Sequence, residues 1–272
     1  MRKILNLLLV LVLTITSFAG ILSIPAGAAS DTEYFERGGS MFNYFYDRID
    51  YHHKTIVTGF LDPNIELPEY QSSYSCGITA GGVIVSWYNK DLSGLIPGHT
   101  AGTYSKLGTW KWTGQNATIN SLFGTMYTLM NAANTGGGVT IANYLGGLNS
   151  YASGQNYTFT SSSIHNGSAF TSDYRTAINS GKLLSVFMDG FNMCLGVSQY
   201  SGYDIALITE YNGTHIMVVY GYADITYYDS NDNIIRVDNY LVTHDCMTPM
   251  LTMVRLNNAH LTIDDCYITH IS

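Results

Sequence analysis

Cys76 is the residue whose type and setting most directly suggest chemistry. It follows Gln71-Ser-Ser-Tyr-Ser and precedes apolar residues at the helical spacing i, i+3, i+4 and i+7, namely Ala80, Val83, Ile84 and Trp87. The spacing predicts a helix that begins at Cys76. A thiol in the first turn of a helix faces unpaired N–H groups and the positive end of the helix dipole, and both favour the nucleophilic thiolate. A buried structural cysteine would suit the same position, so both interpretations stay open at this point.

His215 is the histidine best placed to act as a base for such a thiol. The chain has eight histidines, and His215 opens the apolar run Ile216-Met-Val-Val-Tyr-Gly221 directly after Gly213-Thr214. The backbone would hold this imidazole at the mouth of a buried strand, within reach of a nucleophile that needs a base. The alternative is a half-exposed histidine without a catalytic role.

The base needs an acceptor that orients it, and hairpin geometry chooses among four residues, Asp238, Asn239, His244 and Asp245. A turn over Asp229–Asn233 pairs residues whose numbers add to about 462, so His215 faces the position two residues beyond Asp245. Asp238 would lie nine residues along the strand, roughly 30 Å away. We therefore predict Asp245 as the orienting carboxylate. This holds for an unbulged hairpin, because a bulge would exchange the roles of His244 and Asp245.

Gln71 lies five residues before Cys76 and is a candidate donor to an oxyanion. Its side-chain amide, together with the backbone N–H of Cys76, would stabilise the negative charge that develops on a carbonyl oxygen under nucleophilic attack. The alternative is an ordinary polar residue of a loop.

These motifs together resemble the papain-like cysteine peptidases, and more narrowly the secreted bacterial branch related to the bacteriocin-processing (double-glycine leader) peptidases. The resemblance rests on three segments: Cys76-Gly-Ile-Thr-Ala80, Gly213-Thr-His215-Ile-Met-Val-Val-Tyr-Gly221-Tyr and Tyr240-Leu-Val-Thr-His-Asp245. It implies a triad of Cys76, His215 and Asp245, with Gln71 in the oxyanion hole. It also implies a helical lobe followed by an antiparallel sheet, and thiol-dependent hydrolysis of peptide or amide bonds in a peptide or protein substrate.

Two other functions fit the same residues. A thiol acyltransferase or a cell-wall amidase would use the same triad on a different substrate. A secreted binding module that kept the fold and lost the activity would account for Ile78, where the family has proline, and for Cys246 directly after Asp245. The abundance of Tyr, Ser, Gly and Asn suits an adaptable binding surface.

The elements that position these residues are predicted as helices first and strands afterwards. Further helices are expected at 118–133, 139–151 and 172–180, and Gly181 would cap the last one. Short β-branched and aromatic runs predict strands at 183–188, 203–209, 215–222 and 234–243. Gly81 and Gly82 lower the helix propensity of the first helix, which close packing against another element would explain. The pattern indicates an α+β fold.

The first 29 residues have the three parts of a secretory signal peptide. Arg2-Lys3 precedes the apolar stretch Ile4–Leu22, and Ala26 and Ala28 fit a cleavage site. We therefore expect a secreted protein, with an uncleaved membrane anchor as the alternative. No second stretch is long enough to span a membrane. Residues 30–68 are expected to form an N-terminal arm that wraps a single peptidase-like domain at 69–272.

Composition limits the partners of the chain. Its 272 residues hold 12 Lys+Arg against 20 Asp+Glu, and cleavage of the signal peptide would increase the acidic excess. This charge, without a basic tract, argues against nucleic-acid binding. No paired spacing such as Cys-x-x-Cys suggests a metal site, so we predict neither metal nor cofactor. Export permits disulfide pairing among the remaining cysteines, but spacing alone does not establish it for Cys194, Cys246 and Cys266.

Overall fold

The structure is a computed structural model that describes residues 34–35, 42–63, 65–106, 109–112, 115–165, 173–247, 251–256 and 263–272. The predicted signal peptide lies outside these ranges. The described chain has a mixed α+β fold with a large antiparallel sheet and few helices, as the sequence pattern predicted. Within the described ranges, no helix is long and apolar enough to cross a bilayer.

The described helices follow the predicted ones, with ends that differ by a few residues. They are α1 (Cys76–Asn89), α2 (Ala117–Leu129), α3 (Ile141–Gly154) and α4 (Asp173–Asn179). α2 ends earlier than predicted, because Asn131 takes a left-handed φ of 54° and the short 3-10 helix Ala132–Thr135 follows. Asn116 and Thr140 cap α2 and α3, since each side chain accepts a backbone N–H of the first turn.

The described strands form one large sheet and one small hairpin. In chain order they are β1 (Tyr34–Phe35), β2 (Phe42–Asp50), β3 (His53–Phe60), β4 (Thr103–Lys106), β5 (Thr109–Trp112), β6 (Phe159–Ser163), β7 (Leu183–Tyr200), β8 (Tyr203–Tyr228), β9 (Ile234–His244), β10 (Leu251–Arg255) and β11 (Ile263–Ile271). β4 and β5 form the hairpin, and the other nine form the antiparallel sheet. β8 and β10 each pair with both β7 and β9, so these four strands close into a ring. The strands predicted at 203–209 and 215–222 are both parts of β8.

Three strands, β1, β2 and β3, lie in the segment predicted as an N-terminal arm, so the predicted order of helices first and strands afterwards is wrong at this end of the chain. β2 pairs with β8 from Tyr203 to Tyr211, and β3 pairs with it from Gly221 to Tyr228. Their side chains do not alternate cleanly between buried and exposed: β3 is half-buried or exposed along its whole length. This is why a period-two pattern was not visible in the sequence.

The β8–β9 hairpin has the predicted register at the end that leads to His215. Val218 pairs with His244, so their numbers add to 462. The register shifts twice along the hairpin, because Ile235 is an extra residue on β9 and Tyr220 is an extra residue on β8. The two bulges lie on opposite strands and cancel. The register near His215 is therefore that of an unbulged hairpin.

α1 is buried along nearly its whole length, and its glycines permit this. A side-chain carbon at Gly81 would lie 2.6 Å from Cε of Met130, and one at Gly82 would collide with the ring of Phe123. Both partners belong to α2 or to the residue that follows it. The predicted reason for these glycines, close packing against another element, is confirmed.

Candidate active site

Cys76 is the first residue of α1, where the sequence pattern predicted the helix to begin. Ser75 precedes it in extended backbone, with φ −69° and ψ 165°, and its side chain makes no cap. A side-chain carbon at Gly77 would lie 3.0 Å from Cβ of Val139 and 3.1 Å from Cδ1 of Ile216. The start of α1 is therefore packed tightly between the segment before α3 and strand β8.

All four cysteines carry free thiols, and they differ in exposure. Cys76 is half-buried, whereas the other three are buried: Cys194, Cys246 and Cys266. The disulfides that export would permit are therefore not formed. A substrate or reagent in solvent reaches the thiol of Cys76 most readily.

The imidazole of His215 lies close enough to the Cys76 sulfur for each group to shift the pKa of the other. His215 is only 5% exposed, so little water competes for this contact. The backbone N–H groups of Ile216 and Gly77 also interact with the sulfur, one from β8 and one from α1. The predicted thiol on α1 and the predicted base on β8 are brought together by the fold.

The main chain of Asp245 holds the opposite side of the imidazole. Nε2 of His215 lies 2.5 Å from the carbonyl oxygen of Asp245. A carbonyl oxygen only accepts hydrogen bonds, so Nε2 carries a proton, and in the neutral ring Nδ1 is the unprotonated nitrogen. The Asp245 carboxylate accepts the backbone N–H of Met247 at 2.9 Å, which shapes the chain just beyond β9. The predicted Asp245 is therefore at the site, and its peptide carbonyl contacts the base.

The surroundings shift the pKa values of the thiol and the imidazole toward each other. Burial raises the pKa of Cys76, but the hydrogen bond and charge of His215 and the two backbone N–H groups outweigh it, so this pKa lies below its ordinary value. Burial lowers the pKa of His215, whereas Cys76 and then Asp245 raise it, and the net pKa lies above its ordinary value. Both shifts favour a thiolate–imidazolium pair.

His244, the alternative orienting residue, is fully buried beside the site. Its Nδ1 accepts the backbone N–H of Cys246 at 3.1 Å. Burial lowers its pKa to about 4, so the ring is neutral at physiological pH. His244 therefore supports the turn after β9, and its described contacts do not include His215.

Asp238 and Asn239 lie in the middle of β9, away from His215. Asp238 accepts from the guanidinium groups of Arg236 at 2.8 Å and Arg255 at 3.1 Å. Asn239 pairs with Asp224 across the hairpin. Asp238 pairs with Ile225, ten residues along β8 from His215, so the predicted separation of Asp238 from His215 is confirmed.

Gln71 lies on the loop before α1 and is tied to the chain just beyond β9. Its side-chain amide donates to the carbonyl of Met247 at 3.1 Å, and its backbone N–H donates to Oε1 of Gln115 at 3.1 Å. The Gln71 side chain thus borders the segment that carries Asp245. A carboxamide has a second N–H to offer, and the role of Gln71 in an oxyanion hole stays a prediction.

Two aromatic residues that the sequence pattern did not single out pack against the imidazole of His215. The ring centroids of Phe191 and Tyr211 lie 5.7 Å and 5.5 Å from its centroid. A signal for them was present, because Gly190 and Gly213 interrupt the aromatic and β-branched runs of β7 and β8. A glycine inside a strand indicates a bulge or a close approach of the backbone.

Comparison of the chain with protein-family models, with curated proteins and with solved structures found no match. In the part of the chain that the structure describes, no group of three or more His, Cys, Asp or Glu side chains is arranged to hold a metal ion. The geometry around Cys76 and His215 therefore carries the functional argument.

Proposed function

We propose that this chain is a secreted thiol hydrolase of the papain-like cysteine peptidase type, which cleaves peptide or amide bonds. One observation carries the proposal: the half-buried thiol at the start of α1 interacts directly with the imidazole of His215, whose Nε2 is held by Asp245. The thiol at the start of a helix and the imidazole on a strand of the large antiparallel sheet support the papain-like assignment. The predicted signal peptide supports secretion.

In the proposed reaction, the thiolate of Cys76 attacks the carbonyl carbon of the scissile bond and forms a C–S bond. Negative charge develops on the carbonyl oxygen near the positive end of α1, where the Cys76 N–H and the Gln71 amide would donate to it. The imidazolium of His215 gives its Nδ1 proton to the leaving amine as the C–N bond breaks. A water molecule that loses its proton to Nδ1 then attacks the acyl carbon, releases the acid and restores the thiolate.

The carbonyl of Asp245 suits both halves of this cycle. Nε2–H is a donor in the neutral imidazole and in the imidazolium, so the bond to the carbonyl persists while Nδ1 loses and regains its proton. The base therefore keeps its orientation toward Cys76 through both proton transfers. The negative charge of Asp245 further favours the imidazolium.

The direct contact between thiol and imidazole favours catalysis over a binding module that lost its activity. Such a module has no need to keep the two groups within reach, and a sulfur-to-imidazole separation above about 6 Å would favour it. Here the two groups lie close together, the pKa of the thiol is lowered and the pKa of the imidazole is raised. An acyltransferase or a cell-wall amidase would use the same pair, so the acceptor and the substrate must be measured.

The test is covalent labelling with an electrophilic peptide probe for thiol hydrolases. We expect labelling of wild type and of Cys194→Ala, which removes a buried thiol, and none of Cys76→Ala. Equal labelling of wild type and Cys76→Ala would contradict the proposal. Product analysis with a peptide library, with an added amine acceptor and with peptidoglycan fragments then separates hydrolysis, acyl transfer and cell-wall cleavage.

A further inference from the structure

The imidazole of His215 packs against two aromatic rings that the proposed reaction does not use. Phe191 lies nearly parallel to it, at 28°, and Tyr211 lies tilted, at 55°. The two aromatic rings also contact each other, with centroids 5.0 Å apart. Phe191 is fully buried and Tyr211 is 8% exposed. The base is therefore packed against two rigid side chains as well as bonded to Asp245.

A break in the β7–β8 register brings these rings to the base. Asp189 pairs with Thr214, but the next pair is Phe191 with Tyr211, so extra residues lie on both strands. Gly190, with φ at +80°, occupies the bulge on β7. Residues four apart on a regular strand are separated by about 13 Å. The bulge bends the strands so that Tyr211 reaches the imidazole.

The hydrogen bond from Nε2 to Asp245 does not by itself fix the orientation of the His215 imidazole. That bond fixes Nε2 and leaves the ring free to swing about the contact, which would carry Nδ1 away from Cys76. Small errors in the placement of reacting groups slow catalysis strongly. Rings packed against an imidazole block this motion, and their negative faces stabilise the charged imidazolium over the neutral ring.

We propose that Tyr211 and Phe191 are positioning residues for the base. Their rings hold the imidazole of His215 at the angle at which Nδ1 faces Cys76 and Nε2–H keeps its hydrogen bond to the carbonyl of Asp245. This inference rests on the function proposed above and deepens it. Burial and then the negative charge of the Cys76 thiolate raise the pKa of Tyr211. The ring, and not the hydroxyl, carries the proposed role.

Four variants test this. Tyr211→Leu and Phe191→Leu each remove one ring, and Tyr211→Phe removes only the hydroxyl. Tyr222→Leu is the matched control, because Tyr222 is a buried tyrosine of the same strand and packs on Tyr174 instead. The readout is the rate of Cys76 alkylation by iodoacetamide as a function of pH, which needs no substrate, together with kcat and KM once a substrate is known.

We expect both ring-removing variants to slow alkylation at pH 6 by about tenfold and to move its acidic limb to higher pH. Tyr211→Phe and Tyr222→Leu should keep the wild-type profile, and the loss in turnover should fall on kcat. A wild-type profile in both leucine variants overturns the proposal. Equal losses in Tyr211→Phe and Tyr211→Leu also overturn it, because the hydroxyl would then carry the effect.

Folding of each variant is checked by circular dichroism. If one leucine variant does not fold, the alkylation rate of the other leucine variant tests the proposal. Proton NMR of wild type is independent of all variants. Ring currents should displace the His215 imidazole resonances upfield, and random-coil positions would overturn the proposal. A wild-type Cys76 that alkylates like an ordinary thiol contradicts the proposed function itself, so the two failures are distinguishable.

Discussion

His215 and Asp245 meet through the main chain: Nε2 of the imidazole lies 2.5 Å from the peptide carbonyl oxygen of Asp245. The sequence pattern predicted this residue as the orienting carboxylate, and its peptide group makes the contact. A peptide carbonyl does not titrate and survives any change of the side chain. The orientation of the base is therefore a property of the backbone that follows β9.

Asp245→Asn is accordingly expected to lower kcat/KM by less than about tenfold. The carbonyl remains, and the variant loses only the negative charge that helps to raise the pKa of His215. A triad that depends on its carboxylate loses about 10⁴-fold in kcat on this substitution. Steady-state kinetics of wild type and Asp245→Asn on one substrate make the comparison. A loss of about 10³-fold or more would show that the carboxylate orients the base.

Gln71→Ala is expected to lower kcat by about 10²-fold with little change in KM, because an oxyanion donor acts in the transition state. Gln115→Ala is the matched control. It removes the acceptor of the Gln71 backbone N–H and leaves the side-chain amide in place. Equal losses of kcat in Gln71→Ala and Gln115→Ala would contradict the oxyanion role, because the effect would then come from the position of the loop before α1.

Asp238→Asn is expected to destabilise the fold without changing the thiol. Asp238 is 1% exposed and bonds to two arginines, Arg236 and Arg255. Removing its charge leaves these cations under-compensated, which costs about 3 kcal/mol in a buried ion cluster. Urea denaturation measures the loss in the free energy of unfolding. An altered pH profile of Cys76 alkylation in the folded variant would contradict the separation of Asp238 from His215.

His244 is expected to make the stability of the fold depend on pH. Burial lowers its pKa to about 4 in the folded chain, against about 6.5 in the unfolded chain. The unfolded chain binds the proton more tightly, so the stabilisation is complete above about pH 6.5 and is lost as the pH falls to about 4.

His244→Asn should reduce this loss by about 3 kcal/mol between pH 7 and pH 4, because asparagine keeps an acceptor for the Cys246 N–H and does not titrate. Urea denaturation of both proteins at each pH measures the difference. His53→Asn, at a half-exposed histidine on β3, is the control for a general loss of imidazole. Parallel pH dependences in wild type and His244→Asn would refute the prediction.

Local chemistry made part of the fold predictable. α1 begins at Cys76 because its apolar positions follow the helical period from there. The β8–β9 turn follows from Asp229, whose carboxylate accepts the backbone N–H groups of Asn231 and Asn233. Such short-range effects depend on only a few neighbouring residues, so they can be predicted from the sequence.

Other strands depend on neighbours that a local pattern does not contain. β3 exposes Val57 at 58% and buries none of its side chains fully, so it shows no alternation. β11 pairs with β6 on one side and with β7 on the other, and both strands lie far from β11 in the sequence. These partners accept and donate the backbone hydrogen bonds of β11, and this tertiary pairing overrides a weak local strand propensity.

The proximity of the candidate residues was predictable from the sequence, and the atoms through which they make contact were not. Cys76, His215 and Asp245 were chosen from a helix start, a strand start and a hairpin register. The register survived because the bulges at Tyr220 and Ile235 cancel, and no local signal reveals that cancellation. Whether Asp245 reaches the base by its side chain or its carbonyl depends on the backbone after β9, which is set by tertiary structure.

The central claim is that Cys76 and His215 form a thiolate–imidazolium pair, and the pH dependence of Cys76 alkylation tests it most directly. Iodoacetamide rates from pH 4 to pH 10, with the modified site identified by mass spectrometry, are compared for wild type and His215→Ala. We expect Cys76 of wild type to stay reactive at pH values well below the ordinary pKa of a thiol. In His215→Ala, burial raises the pKa of Cys76 and the imidazole no longer lowers it. The pH range in which Cys76 reacts should therefore move to higher pH. Burial raises the pKa of the other thiols, so we expect no modification in the folded protein at Cys194, Cys246 and Cys266. Identical profiles in wild type and His215→Ala would contradict the claim.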